Sequence, residues 1–122
     1  MYKILLVEDN VPFRKSLREV LHKRFHQILI EEAGNGKEAL EKMDSFCPSM
    51  IFMDIRLPDA NGLELTRKIR GDCPETIIII LTSYDLPEYR EAAEKYGANH
   101  FLTKDALTEG EIVAKVKTYY QE

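Results

Sequence analysis

Ser49-Met50-Ile51-Phe52-Met53-Asp54 runs into Ile55-Arg56-Leu57-Pro58-Asp59, and the reading of this stretch decides the fold. Ile51, Phe52 and Met53 are apolar without alternation, the pattern of a strand buried on both faces. Pro58 and the Asp59-Ala60-Asn61-Gly62 cluster end it. Asp54 is thereby set at the carboxyl end of a central strand, the edge at which open α/β sheets bind ligands. A carboxylate there must be solvated, paired or metal-bound.

Working outward, the same type of element recurs. Residues 2–7, 28–33, 76–81 and, more weakly, 99–103 read as further strands. Between them lie helical segments. The first follows Asn10, a cap, has Pro12 in its first turn, and carries Phe13, Leu17, Val20, Leu21 and Phe25 on one stripe. The second covers 37–46 with Leu40, Met43 and Phe46 inward, and the third 62–70 with Leu65 and Ile69 buried. The fourth covers 85–96, with Asp85 as a cap and Gly97 as its stop. Its apolar side is thin: Leu86, Ala93 and Tyr89. The last covers 108–120 with Ile112, Val113, Val116 and Tyr120 apolar. Strand and helix alternate five times, which predicts a doubly wound α/β fold with a five-stranded parallel sheet and five helices. A length of 122 residues fits one domain spanning 1–122.

Composition narrows the function. With 17 Lys and Arg against 21 Asp and Glu, the net charge is -4. That argues against nucleic acid as a direct ligand. No apolar run approaches the ~18–20 residues of a membrane span, and Ile4-Leu5-Leu6-Val7 before two acids is no signal peptide. Cys47 and Cys73 each precede a proline and form no CxxC pair. We expect two reduced thiols in a cytoplasmic protein.

The chemistry collects at the strand ends. The first strand ends on Glu8 and Asp9, the central one on Asp54, the isoleucine strand on Thr82 and Ser83, and the last on Lys104. In a parallel sheet all of these lie on one edge. Three carboxylates cannot share a site without a counter-charge. A hard divalent cation such as Mg²⁺ supplies it and suits Glu8, Asp9 and Asp54, whereas His22, His26 and His100 are scattered and read as solvated. With the cation in place Asp54 can attack phosphorus. Lys104 would neutralise phosphoryl oxygens and Thr82 would hydrogen-bond one, the positioning and charge stabilisation that phosphoryl transfer requires. Arg56 and Tyr84, two residues past Asp54 and Thr82, are expected at the rim as shields against water.

These residues resemble the receiver domain of two-component response regulators over essentially the whole chain. The likeness rests on Ile4-Leu5-Leu6-Val7-Glu8-Asp9-Asn10, on 53–62, and on Ile80-Leu81-Thr82-Ser83, Gly97-Ala98 and Phe101-Leu102-Thr103-Lys104. The resemblance implies a flavodoxin-like strand order 2-1-3-4-5. It implies that Asp54 is the phosphoacceptor, that Glu8, Asp9, Asp54 and the backbone carbonyl of Arg56 hold Mg²⁺, that Lys104 contacts the phosphoryl group, and that Thr82 and Phe101 form the switch. The donor would be a histidine kinase or phosphotransfer protein. The face of the last two helices and the strand between them would carry the signal to a downstream protein, a DNA-binding output domain or a second copy in a homodimer. Asp105 stands where the family commonly has proline, as in receivers of the NarL/FixJ type. The family's proline often follows a cis bond, whereas a cis bond to a non-proline residue costs ~2.5–4 kcal/mol, so the sequence leaves the bond after Lys104 open between cis and trans.

Such a protein is a signalling module and not a turnover enzyme. Two other classes compete. A haloacid-dehalogenase-like phosphatase also uses an aspartyl nucleophile, but needs a second acid where Arg56 stands. A flavodoxin-like cofactor binder needs a phosphate loop after the first strand, where Glu8 and Asp9 would repel phosphate.

Overall fold

The computed structural model describes residues 1–122. Its strands sort their apolar residues onto two faces. β1 (Tyr2–Val7) sends Ile4 and Leu6 to one side and Leu5 and Val7 to the other. β3 (Met50–Met53) divides Met50 and Phe52 from Ile51 and Met53, and β4 (Ile77–Thr82) divides Ile79 and Leu81 from Ile78 and Ile80. Both faces need cover, so helices lie on both. α1 (Val11–Arg24) and α5 (Glu109–Tyr119) cover the first with Leu17, Leu21, Phe25, Ile112 and Val116. α2 (Gly36–Phe46), α3 (Gly62–Asp72) and α4 (Pro87–Lys95) cover the second. Each fully buried aliphatic or aromatic side chain contributes about 1.5–3 kcal/mol.

With β2 (Ile28–Ala33) and β5 (His100–Thr103) at the edges, all pairings are parallel and the order is β2-β1-β3-β4-β5, the expected flavodoxin-like topology. The winding reverses between β1 and β3. Connections leave this point in opposite directions and open a crevice at the carboxyl ends. No helix is long and apolar enough to cross a membrane.

Several local expectations are corrected. Asp85 does not cap α4: the N-cap is Leu86, with no side-chain bond, and Asp85 instead accepts from Arg90 Nε at 2.5 Å. In α2 Gly36, Ala39 and Met43 are buried and Leu40, half-buried, packs against the same core, whereas Phe46 is only half-buried, with the Lys3 ammonium over its ring. His100 is half-buried, its Nε2 2.7 Å from the Tyr119 hydroxyl. Of the three residues expected on the inward side of α4 only Ala93 is buried. Tyr89 is half-buried, and Leu86 is exposed because it is the N-cap, outside the helix. Gly97 ends the segment at φ +97°, as expected. The Lys104–Asp105 bond is trans, within a short 3₁₀ turn over Lys104–Ala106.

One glycine is demanded by the crevice. The Gly62 amide donates to the Ile55 carbonyl at 2.6 Å, and a Cβ on Gly62 would lie 1.9 Å from the Asp54 carbonyl oxygen. Gly71, near the end of α3, has open space around it. Gly62→Ala should therefore lose at least the about 1–3 kcal/mol typical of overpacking, while Gly71→Ala should gain about 0.5–1 kcal/mol. Urea unfolding midpoints moving in opposite directions would bear this out; equal midpoints would contradict it.

Candidate functional site

Three strand ends meet in the crevice. The Asp54 amide donates to the Val7 carbonyl at 3.0 Å, and the Glu8 amide to the Ala33 carbonyl at 3.0 Å, so both acids leave the sheet in fixed positions. Asn10 then caps α1 by accepting from the Phe13 amide, and the Asn10 amide donates to Glu8 Oε2 at 3.1 Å. Glu8, Asp9 and Asp54 offer oxygens that all lie within 4.8 Å of one another. Glu8 and Asp54 are buried, at 4% and 7% exposure, and Asp9 is exposed. Asp54 Oδ1 accepts from the Ile55 amide at 2.8 Å. Lys104, in the turn after β5, places Nζ 3.3 Å from Asp54 Oδ2, against Glu8 Oε1, and 4.5 Å from the centre of the Phe13 ring.

One ammonium thus serves two buried carboxylates. Burial pushes Glu8 up to about 7, against the hydrogen bonds from Lys104 and Asn10 that favour its charged form. Burial would by itself lower Lys104, but the hydrogen bond to Glu8 and the charges of Asp54 and Glu8 outweigh it and hold the amine above its usual value. The oxygen-only donor set, with excess negative charge, fits a hard divalent cation. The Arg56 carbonyl accepts none of the backbone hydrogen bonds around it: the bridge between Arg56 and Asn61 is closed instead by Leu57 donating to Ala60 and Gly62 to Ile55.

The rest of the rim is connected in ways the sequence only partly showed. Thr82 is fully buried, and its Oγ1 accepts from the Tyr84 amide at 3.2 Å, tying the loop after β4 to the strand end. Arg56 and Tyr84 do meet at the rim, the guanidinium stacked 3.6 Å from the ring centre, and Arg56 also donates to the Tyr89 hydroxyl of α4 at 3.3 Å. Phe101 is half-buried on β5, covered by the Arg90 guanidinium at 4.6 Å. Asp59 accepts from the Gly36 and Lys37 amides at 2.7 and 3.1 Å, clasping the loop after β3 to the start of α2; these bonds hold its carboxyl below the usual range. Sequence reasoning missed the Asp59 clasp, the Phe13 ring beside Lys104, and the partners of Glu32. Arg14 and Arg18, one turn apart on α1, both bond Glu32. Two acids inside an otherwise apolar strand, Glu31 and Glu32, were the available signal.

The sequence profile described as "Response regulator receiver domain" matches residues 4–117. The transcriptional regulatory protein LnrK of Bacillus subtilis is 36% identical over 121 residues, covering 98% of this chain and 54% of that protein. The chemotaxis protein CheY of Halobacterium salinarum is 36% identical over 102 residues, covering 84% and 83%. A crystal structure of a CheY-like response regulator receiver domain protein from Methanospirillum hungatei JF-1 superposes with a TM-score of 0.90 at 25% identity, covering 97% and 92%. The chain spans from a third to about half the length of several transcriptional regulators it matches.

The electrostatics predict a pH dependence for the metal-free protein. The folded state keeps the Glu8 proton up to about pH 7, whereas the unfolded chain releases it near 4.5. The folded state binds more protons in this window, so the Glu8 contribution makes stability fall as pH rises through it. Thermal melts in chelator should decline less steeply from pH 5 to 8 in Glu8→Gln than in wild type. Parallel profiles would mean that Glu8 is not the titrating group.

Proposed function

From the premise that this chain belongs to the response regulator receiver family, we propose that Asp54 accepts a phosphoryl group and that the protein relays this event to a partner. Receiver domains are signalling modules of two-component systems and not turnover enzymes. The observation that carries the reading is the meeting of Glu8, Asp9 and Asp54 within 4.8 Å, with Lys104 bonded to two of them.

In this reading Glu8, Asp9, Asp54 and the Arg56 carbonyl would hold Mg²⁺, which would supply positive charge to the phosphoryl oxygens. The chain's own groups do the rest. Lys104 and the Ile55 amide orient the Asp54 carboxylate. An Asp54 oxygen forms the new bond to phosphorus as the bond from phosphorus to the donor's imidazole nitrogen breaks. Lys104 then follows the negative charge onto the phosphoryl group. Arg56 and Tyr84, stacked at the rim, restrict water and so lengthen the life of the acyl phosphate. The donor is a histidine kinase or phosphotransfer protein. The phosphatase reading is not favoured, since the position it would need for an acid holds Arg56, stacked on Tyr84.

The response would pass through Thr82. A phosphoryl group adds ~1.5–2 negative charges and three strong acceptors. To donate to one of them the Thr82 hydroxyl must turn, and it carries the bond from the Tyr84 amide with it. The loop after β4 would shift, Phe101 would turn inward, and α4, with Ala93 as its only buried residue and no side-chain cap, would adjust. We assign the output surface to α4, β5 and α5. Its readers would be a downstream protein, a second copy of this chain, or a DNA-binding output domain, DNA binding being part of the name of one relative and of one structurally similar protein.

Acetyl phosphate with Mg²⁺ should add one phosphoryl group, labile to base and hydroxylamine. Mass spectrometry of wild type and Asp54→Asn tests the site, and full phosphorylation of the variant would sink the assignment. Asp9→Ala should abolish the Mg²⁺-induced shifts of amide signals near the three acids.

Thr82→Ala should still accept phosphate but lose the coupling, because a charge-assisted hydrogen bond worth about 1.5–3 kcal/mol is gone. Amide exchange over residues 85–103, with and without beryllofluoride, should change in wild type and stay flat in the variant. Equal protection changes in both would exclude this route.

A further inference from the structure

The parallel ladder between β1 and β2 runs out at the acidic loop. Val7 lies level with Ala33, and the Glu8 amide still reaches the Ala33 carbonyl at 3.0 Å. Parallel ladders step by two residues, so the next rung would join the Glu8 carbonyl to the Asn35 amide. It is missing because the chain turns away at Gly34 and Asn35 becomes the N-cap of α2. Arg14 of α1 takes its place. Its Nη1 donates to the Glu8 carbonyl at 2.6 Å, and its Nε donates to Glu32 Oε1 at 2.8 Å. Arg18 Nη1 holds the other Glu32 oxygen at 2.9 Å. The Arg14 side chain is only 18% exposed, and a Cβ on Gly34 would lie 3.3 Å from its Nη1, so the guanidinium is also packed against the turn.

Holding that carbonyl fixes the plane of the Glu8–Asp9 peptide, in which the Asp9 Cα lies. Asp9 is exposed, so its place beside Asp54 depends on where the backbone holds it. We propose that Arg14, standing in for the missing rung and aimed by Glu32, is a positioning residue that holds Asp9 where it joins Glu8 and Asp54 around a divalent cation. This rests on the reading of the three acids as a Mg²⁺ site. Arg14 itself touches neither cation nor reacting atoms.

Two effects of Arg14 have opposite sign, and this makes the proposal testable. As a cation near three acids it repels Mg²⁺, so its loss would tighten binding. As an anchor it aids binding, and outer-shell partners of metal ligands are typically worth 10–100-fold in affinity. Mg²⁺ alone should be titrated into wild type, Arg14→Gln, Arg14→Lys and Lys42→Gln, following amide shifts at residues 8–10 and 54, with folding checked by urea unfolding. Lys42 is the control, since it pairs with Glu31 of the same strand.

The expected result is about tenfold weaker binding in Arg14→Gln, weaker binding in Arg14→Lys despite its retained charge, and no change in Lys42→Gln. Without metal, the Asp9 and Asn10 amides should exchange faster in Arg14→Gln. Its phosphorylation by acetyl phosphate should be slow at limiting Mg²⁺ and recover at saturating Mg²⁺, which general damage to the fold would not allow. Unchanged or tighter Mg²⁺ binding in Arg14→Gln overturns the proposal. If that variant does not fold, Arg14→Lys decides by the same readout. A wild type that binds no Mg²⁺ would overturn the metal reading itself, and the proposal with it.

Discussion

Two buried carboxylates at neighbouring strand ends share a single ammonium, and much of the crevice is arranged around that shortfall of positive charge. Lys104 reaches both Glu8 and Asp54 because β5 delivers it to the same edge as β1 and β3. The shortfall is visible in Glu8, which burial pushes up to about 7 even with Lys104 beside it. A third carboxylate, Asp9, stands at the mouth of the site. A group of this kind is poised to take up positive charge, whether as a proton or as a divalent cation.

The loops that carry these groups are each held to a neighbouring element. The loop after β3 is clasped to α2 by Asp59 and closed by Gly62 beneath Asp54. The loop after β1 is held from α1 and β2 by Arg14 and Glu32. The loop after β4 is different. It hangs on one bond from the Tyr84 amide to Thr82, the Arg56 stack and the exposed Asp85–Arg90 pair. Exposed pairs of this kind contribute little, commonly about 0–1 kcal/mol. α4 beyond it buries only Ala93. Rigid loops thus surround the acids, while the least anchored one leads to the surface we assign to output; weakly held elements of this kind are the ones that move.

Most of the architecture was legible from residue order. Unalternating runs such as 51–53 mark doubly covered strands, and the helical stripe of Phe13, Leu17, Leu21 and Phe25 marks α1. Asp54, Glu8, Asp9, Thr82 and Lys104 could be gathered because each follows such a run, and parallel strands put all those ends on one edge. What went wrong was local. Asp85 has the chemistry of a cap, but Arg90 lies close enough to claim it. Leu86 was read as inward because apolar character is readable in a sequence, whereas the point at which a helix begins and its rotation about its axis are not.

The sequence by itself determined the strand–helix alternation, the apolar residues of both cores, and the chemical groups that end each strand, because these depend on periodicity and residue type along the chain. Only the tertiary structure decided which groups touch. The Lys104 contact to two acids, the Asp59 clasp, the Arg56 stack on Tyr84 and the Arg14 bond to the Glu8 carbonyl join residues distant in sequence or on different elements. Each depends on helix rotation, side-chain rotamer and the point at which a strand turns away from its neighbour. Those are set by the packing of the whole molecule, which no local stretch of residues encodes.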